Sequence, residues 1–432
     1  MNSKESRGRS HATYGWWLVA VLTLGNILNF VDRQLPIILI ESIKRDLHLT
    51  DTQIGLLAGF TFTFAYSISG LALAALADRF SRKWVLVGSV TLWSLFTAAG
   101  GLAQNFTHFA FARLGVAVGE SGCQPPSHAL ISEHFPPERR ALPLAVFASG
   151  AAVGFMGGLM LGGFINDIAN WRTALFVVVA PGMLLALAMA IGVREGWSAP
   201  GKVRAERSGG ASLAEVARHF LRTPALRLLI LGAICYGFGT GGVTTFLAAF
   251  FIRSHHLSTT QIGLMLGLGM GLGAGVGTVI GGFVSDRAGR RDARLRLWAP
   301  AAVTALMVPL VLGALLVTSS TLAFVCLGLS FVCSSFFLAP LVSGVQSLVP
   351  TRMRSVASAI AVIAGQGIGS SVGALAIGMM SDHLHPIFGQ ESLRYALMIG
   401  VLSMWGGAIF YLLGGRAMPA DLLKLEQAER AS

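Results

Sequence analysis

Four ionisable residues lie inside long apolar runs of this sequence, where charged side chains are rare. Asp32 and Arg33 are neighbours in one run. Arg113 and Glu120 belong to another run, two helical turns apart, so they would share one face of a helix. If these runs cross a membrane, each charge is costly unless it is paired or faces a wet cavity. The pattern therefore favours a functional site.

The chemistry available to such a group is binding of an anion together with a proton. A buried carboxylate can take up a proton, and an arginine can hold an anionic headgroup. We expect Asp32 and Glu120 to be the proton sites, and Arg33, Arg113 and Glu120 to bind the substrate. Counting along the helices places Asp32 and Arg113 at one level and Glu120 near the membrane midplane. The alternative is a structural ion-pair cluster that joins the two helices. The same residues could be both a functional site and such a cluster.

The runs that must position these residues dominate the chain. Of 432 residues, 54% are hydrophobic and 12% are charged, and that charged fraction is about half of what a soluble domain carries. A spanning helix takes about 20 residues plus a connection, so the chain holds roughly a dozen spans. We expect them at 16–40, 53–76, 84–103, 107–131, 141–166, 172–193, 226–252, 260–283, 297–317, 321–348, 357–380 and 393–414.

The distribution of polar residues predicts the domains and the orientation. Residues 1–195 and 225–432 would be two six-helix bundles, the second with a cytoplasmic tail, and 196–224 a linker with a short amphipathic helix. The net charge of +12 lies in short loops between apolar runs, which argues against nucleic acid as a partner. With both termini in the cytoplasm of a bacterial inner membrane, nearly all loop Lys and Arg residues fall inside. The exceptions on the outer side are Lys44, Arg45, Arg172, Arg253 and Arg394.

An internal repeat relates the two halves. Thr52-Gln53-Ile54-Gly55-Leu56 recurs as Thr260-Gln261-Ile262-Gly263-Leu264, and Asp78-Arg79 recurs at the same spacing as Asp286-Arg287. Two separate features with one spacing indicate a duplicated six-helix unit. The predicted fold is an all-α polytopic membrane protein with twelve transmembrane helices in two pseudo-symmetric bundles.

Both copies of the Asp-Arg loop are predicted gating elements. A carboxylate there can accept hydrogen bonds from the free N–H groups of a helix that starts in the opposite half. The arginines would contact lipid headgroups of the inner leaflet. The plain alternative is a tight basic turn. The gating residues are Asp78, Arg79, Arg82, Asp286, Arg287, Arg290 and Arg291.

The loop also carries a family resemblance. Residues 282–291, Gly-Phe-Val-Ser-Asp-Arg-Ala-Gly-Arg-Arg, match the pattern G-x-x-x-D-R-x-G-R-R of the major facilitator superfamily. The first copy departs from it at Ala74 and Ser81. In the first half, Asn29-Phe30-Val31-Asp32-Arg33-Gln34 and Gly119-Glu120-Ser121 resemble the spinster family. That resemblance implies export of lysolipids or sphingolipid-like molecules, with the matching aspartate and glutamate linked to protons.

These observations predict a secondary active transporter rather than an enzyme. It would work by alternating access as a monomer, coupled to protons, without metal or cofactor, and would move an amphipathic anion such as a lysolipid. Sugar-acid transporters share the Asn-x-x-Asp-Arg segment, so a proton-coupled symporter of a small organic anion is one alternative. A multidrug exporter is another, and a non-transporting receptor with the transporter fold is the alternative from a different class.

Overall fold

In a computed structural model of the protein, residues 3–194, 212–292, 294–336 and 338–431 are described, and they are mostly helical. The first half contains helices α1 (Ser3–Ile38), α2 (Ile40–Leu47), α3 (Asp51–Gly55), α4 (Phe62–Arg79), α5 (Arg82–Gly101), α6 (Phe106–Ser121), α7 (Gln124–His134), α8 (Ala141–Ile168) and α9 (Trp171–Gly192). The second contains α10 (Leu213–Arg222), α11 (Pro224–His255), α12 (Thr259–Arg291), α13 (Leu295–Leu316), α14 (Ser320–Phe336), α15 (Leu338–Ser347), α16 (Arg354–Val362), α17 (Ser370–Phe388) and α18 (Ser392–Ala431). Two π-helical turns, Leu56–Thr61 and Ile363–Gly369, join α3 to α4 and α16 to α17.

Each of the expected spans corresponds to one of these helices or to a helix interrupted once. Within the described ranges, nine segments are long and apolar enough to cross a membrane, and one of them, Thr351–Gln427, includes the last two expected spans. The two remaining spans, α3–α4 and α6–α7, are broken into shorter pieces. The prediction of an all-α polytopic membrane protein is confirmed.

The break between α6 and α7 follows from two prolines. Pro125 and Pro126 lie in the first turn of α7, where a missing N–H costs nothing, but neither could continue a helix from α6. The chain therefore turns at Gly122 and Cys123, whose N–H groups bond back to Gly119 and Glu120 at 3.2 Å each. The sequence analysis treated 107–131 as one span, and this interruption was not predicted.

The chain forms two compact units. The first comprises Met1–Leu49, Thr61–Lys202 and Ser258–Gly267, and the second comprises Thr50–Phe60, Val203–Leu257 and Leu268–Ser432. Each copy of the repeated Thr-Gln-Ile-Gly-Leu motif thus belongs to the unit built mainly from the other half of the sequence. Of the predicted linker, residues 196–211 lie outside the described residues, and its end forms α10, which buries Val216 and Phe220.

The repeated motif begins with the same helix cap in both units. In the second unit, the Thr50 hydroxyl accepts from the Gln53 N–H at 3.1 Å, while the Gln53 carbonyl accepts from the Thr50 N–H at 3.0 Å. In the first unit, Ser258 and Gln261 make the same pair of bonds at 3.2 and 3.1 Å. These are capping boxes, and they explain why the glutamine recurs.

A carboxylate closes each of these helix starts. In the second unit, Asp382 accepts from the Thr52 N–H at 2.7 Å and the Thr52 hydroxyl at 2.6 Å. In the first unit, Asp167 accepts from the Thr260 N–H at 2.7 Å and the Thr259 hydroxyl at 2.6 Å. A negative charge at a helix N-terminus satisfies free N–H groups and complements the helix dipole. Asp167 lies in the last turn of α8, and Asp382 lies within α17. The side chains of Asp78 and Asp286, for which a contact of this kind was predicted, lie outside the described residues.

The glycine of the motif allows close helix crossing. A Cβ on Gly263 would lie 2.9 Å from the carbonyl carbon of Leu159 and closer still to its oxygen. Gly55 meets the Ala374 carbonyl in the same way, with Leu375 Cα 2.9 Å from the added atom. Small residues at such crossings let membrane helices approach backbone to backbone.

We predict that Gly263→Ala destabilises the protein by about 1–3 kcal/mol, because the methyl group overlaps a backbone that cannot move aside. Gly275, on the same helix, has no atom within 4 Å of an added Cβ, so Gly275→Ala is the matched control. The control should be neutral or stabilising, by up to about 1 kcal/mol. Thermal unfolding of the detergent-solubilised variants measures both, and equal melting temperatures would contradict the crossing argument.

Candidate functional site

The four ionisable residues identified in the sequence lie together in the first unit. α1 carries Asp32 and Arg33, and α6 carries Arg113 and Glu120. Glu120 is 0% exposed, Asp32 1% and Arg113 7%, while the Arg33 side chain keeps 23% of its surface exposed. The site is therefore closed around three of the charges and open at one guanidinium.

Close packing of α1 on α8 fixes the position of Asp32 and Arg33. Gly154 and Gly158 of α8 are buried against α1, where an added Cβ would meet Phe30 Cβ at 2.8 Å and the Val31 carbonyl at 2.7 Å respectively. Asn26 of α1 also donates to the Phe147 carbonyl at 2.9 Å. The glycine face of α8 thus positions the helix that bears two of the four charges.

Arg33 and Glu120 form a buried ion pair. Nε and Nη2 of Arg33 donate to the same oxygen, Glu120 Oε2, at 3.0 and 2.9 Å. Glu120 Oε1 is buried and has no hydrogen-bond partner among the described residues. The spacing in the sequence placed Arg113 and Glu120 on one face, but the guanidinium that binds Glu120 is that of Arg33.

Asn29 and the end of α6 support this pair. Asn29, one turn before Arg33, accepts from Arg33 Nη2 at 3.4 Å and donates to the Glu120 carbonyl at 3.4 Å. Because α6 ends at Ser121, its terminal carbonyls carry partial negative charge, which favours a nearby guanidinium. A discontinuous helix at the charged site is a recurring feature of transporter folds.

Asp32 has a different environment. Its Oδ2 accepts from the Thr97 hydroxyl of α5 at 2.5 Å, and its Oδ1 is buried without a partner in the described part of the chain. Asp32, Thr97 and Arg113 line a small cavity of about 10 Å³, enough for about one water molecule. A proton could reach the free oxygen through such a cavity.

Aromatic rings face both arginines. Arg33 lies 4.6 Å from the ring centre of Tyr66 and 5.4 Å from that of Phe62, and Arg113 lies 4.6 Å from the Phe62 ring. Cation–π contacts of this kind stabilise a guanidinium that has left water. The sequence analysis missed Phe62 and Tyr66, although their spacing of one helical turn on α4 is visible in the sequence.

The predicted gating residues are only partly described. Arg79 is exposed at the end of α4, and Arg82 forms an ion pair with Glu133 of α7, a partner that was not predicted. The other predicted gating side chains lie outside the described residues: those of Asp78, Asp286, Arg287, Arg290 and Arg291.

The described site contains carboxylate oxygens that a proton could occupy. Among the described residues, no group of three or more His, Cys, Asp or Glu side chains could hold a metal ion. Each carboxylate has one bonded oxygen and one free oxygen. If Glu120 took up a proton, its hold on Arg33 would weaken, and that arginine could bind an anion instead.

We predict that Glu120→Ala lowers the free energy of unfolding by about 3–5 kcal/mol, because it leaves Arg33 without its carboxylate. Replacing both residues, Arg33→Met with Glu120→Met, should recover most of that loss. The exposed pair Asp46–Arg172 provides the control, since Asp46→Ala should cost about 1 kcal/mol or less. Unfolding curves in detergent give all three values, and a double variant as unstable as Glu120→Ala would argue against a buried pair.

Comparisons with known proteins agree with this architecture. The sequence profile of the Major Facilitator Superfamily matches residues 22–374. An "MFS-type efflux pump" of Mycolicibacterium smegmatis is 34% identical over 412 residues, covering 95% of this chain and 94% of the relative.

Two further similarities involve spinster proteins. Human "Protein spinster homolog 1" is 28% identical over 246 residues, covering 55% of this chain and 46% of the human protein, so the match spans about half of that relative. The crystal structure of a bacterial homologue of the human lysosomal transporter Spinster, in an inward-facing and unoccupied conformation, superposes with a TM-score of 0.84. It is 27% identical and covers 94% of this chain and 98% of its own. The chain is a multi-pass membrane transporter that belongs to the Major Facilitator Superfamily and is similar to the spinster proteins.

Proposed function

We propose that the protein is a proton-coupled secondary active transporter that moves an amphipathic anion by alternating access. The observation that carries this proposal is the buried Arg33–Glu120 ion pair beside Asp32, with one free oxygen on each carboxylate. The resemblance to spinster proteins and the membership in a transporter superfamily support it.

The charge balance of the cluster suggests how coupling works. Two carboxylates and two guanidiniums sum to zero, which is the state that a low-dielectric interior tolerates best. An anion that enters this cluster adds a negative charge unless a proton enters as well. Proton binding at Glu120 or Asp32 would therefore accompany anion binding at Arg33, the least buried member of the cluster.

An amphipathic substrate fits the surroundings of Arg33. Phe30 and Tyr66 lie 4.9 and 4.6 Å from its guanidinium, so apolar surface adjoins the charge that would hold a headgroup. Phe246 and Phe250 are fully buried in the core of the second unit and so offer no surface to an apolar tail.

Export of drug-like molecules is a second candidate, and one observation favours it. The relative with 34% identity over 95% of this chain carries the name of an efflux pump. Its matching region extends well beyond the four charged residues, so the candidate rests on overall similarity. We further propose a bacterial inner membrane with both termini in the cytoplasm, on the basis of the Lys and Arg distribution.

We predict that Asp32→Asn abolishes substrate-driven proton movement while the protein remains folded. The amide keeps the shape of the side chain and can still accept from Thr97, but it cannot carry the proton. A pH-sensitive dye inside proteoliposomes reports proton movement when substrate is added. Asp46→Asn, at an exposed carboxylate on the predicted outer side, is the control and should behave as wild type. Wild-type proton movement in Asp32→Asn would show that Asp32 is not a proton site.

We also predict that ligands with an anionic headgroup and an apolar tail stabilise the purified protein. Melting curves with a lysophospholipid, a sugar acid and a cationic drug-like amphipath compare the candidate substrate classes directly. Stabilisation by the lysophospholipid should disappear in Arg33→Gln, because the headgroup loses its guanidinium. A shift with sugar acids alone would favour the small organic anion, and a shift with the cationic amphipath alone would favour drug export.

A further inference from the structure

A second cavity, wide open and positively charged, is lined entirely by residues of the second unit, far along the chain from the four buried charges. It has a volume of about 500 Å³ and is lined by Arg296, Arg354, Gln346, Ser343, Ser347 and Val342. Arg296 lies in the first turn of α13, Gln346 near the end of α15, and Arg354 at the start of α16. Both arginines belong to the predicted cytoplasmic side of the membrane.

Neither arginine has a carboxylate partner in the described part of the chain. Arg296 and Arg354 form no ion pair with any residue in the described ranges, although both line one cavity. Both are also placed in the first turn of a helix, where the helix dipole adds further positive potential. Two cations and two helix starts around one cavity make it electropositive, which favours the binding of an anion there.

The two halves differ in charge at the start of the third span and the end of the fourth. In the first unit, Arg82 at the start of α5 is paired with Glu133, the residue before the last of α7. In the second unit, the residue before the last of α15 is Gln346, which donates to the Ser358 hydroxyl at 3.2 Å. The position that supplies a carboxylate in one half therefore supplies a neutral amide in the other.

The arginines at the start of the fifth span differ between the halves as well. Arg140, which precedes α8, donates through Nε to the Phe135 carbonyl at 2.7 Å and so is held by its own loop. Arg354, at the start of α16, lines the cavity instead. Arg296 and Arg354 therefore line the same cavity.

We infer that this cavity binds a phosphate-type anion, held by Arg296 and Arg354 with the Ser343 hydroxyl and the second N–H of the Gln346 amide as further donors. Guanidiniums bind phosphate oxygens through paired, charge-assisted hydrogen bonds, and serine hydroxyls add donors of the right length. The cavity volume accommodates a headgroup, and the predicted cytoplasmic leaflet would present anionic lipids to it. The ligand is either the headgroup of a membrane lipid or a soluble phosphate. The inference does not rest on proton coupling or on transport.

Binding to the full-length protein tests the inference without any transport measurement. In neutral detergent, the melting temperature is followed against inorganic phosphate, with chloride keeping the ionic strength constant because salt screens exposed charges. In a second arm, the protein is placed in nanodiscs of phosphatidylcholine with or without phosphatidylglycerol. Stabilisation by phosphate identifies a site open to soluble anions, and stabilisation by phosphatidylglycerol alone identifies a lipid headgroup site.

Two variants and one control locate the site. Arg296→Gln with Arg354→Gln should weaken the apparent affinity for the stabilising anion roughly tenfold or more, since it removes both charged donors. Gln346→Glu restores the carboxylate that the first half has and should weaken binding similarly while keeping the protein folded. Arg352→Gln is the matched control, because Arg352 is exposed, is paired with Glu215 and does not line the cavity.

We expect the anion to stabilise the wild type and Arg352→Gln. We expect this stabilisation to be lost in the double variant Arg296→Gln with Arg354→Gln and in Gln346→Glu. The inference is overturned if the wild type responds to neither phosphate nor phosphatidylglycerol. It is also overturned if Gln346→Glu binds as tightly as the wild type. A failure of proton coupling in Asp32→Asn would leave this outcome unaffected, because the two experiments concern different residues and different readouts.

Discussion

The ion pair between Arg33 and Glu120 is the interaction on which the first unit depends. In an apolar bundle, neither charge could remain without the other, and the Coulomb attraction alone seldom offsets the loss of hydration. Further stabilisation of the pair comes from its surroundings: the Asn29 amide, the terminal carbonyls of α6 and the rings of Phe62 and Tyr66. The interruption at Pro125 and Pro126 ends α6 just after Glu120, so the carboxylate that binds Arg33 lies at a helix end. The local helix break and the charged site are therefore adjacent.

The two halves share a scaffold but divide its charges differently. The Thr-Gln-Ile-Gly-Leu motif makes the same contacts in both units. Its helix starts with a capping box, its backbone N–H groups bond to a carboxylate, and its glycine packs against the backbone of another helix. Its recurrence is explained by these contacts, which duplication preserved in both units. The ionisable residues do not follow the repeat. Asp32, Arg33, Arg113 and Glu120 have no charged counterparts within the spans of the second half, and α15 has Gln346 before its last residue where α7 has Glu133.

The sequence predicted the helices and the members of the site well because both depend on one-dimensional patterns. Apolar runs gave the spans, and charges inside those runs gave the four residues that the structure brings together. The pairing within the site was harder to predict. Residue spacing fixes the height of Arg113 and Glu120 along α6, but not which way α1 is rotated, so the choice between Arg33 and Arg113 depended on packing. Asp167 and Asp382 were missed for a related reason, since a carboxylate at a helix end gives no signal of the backbone that it caps. Pro125 and Pro126, shortly after Glu120, are a visible signal for the break after α6, but the expected span 107–131 did not take them into account.

The contrast between the two charged regions has a consequence for how they would respond to protons. The cluster around Arg33 is balanced, so an added anion must displace Glu120 or arrive with a proton, and anion binding there should depend on pH. The cavity around Arg296 and Arg354 has no acidic member among its lining residues, so an anion can enter it without a proton. Arginine stays charged at any pH at which the protein is folded, and binding at this cavity should therefore be insensitive to pH where the headgroup charge is constant. The duplicated fold would thus separate two tasks that a single arginine site would combine. Under the two proposals, one half would hold an anion by charge alone, and the other would link the presence of an anion to a proton.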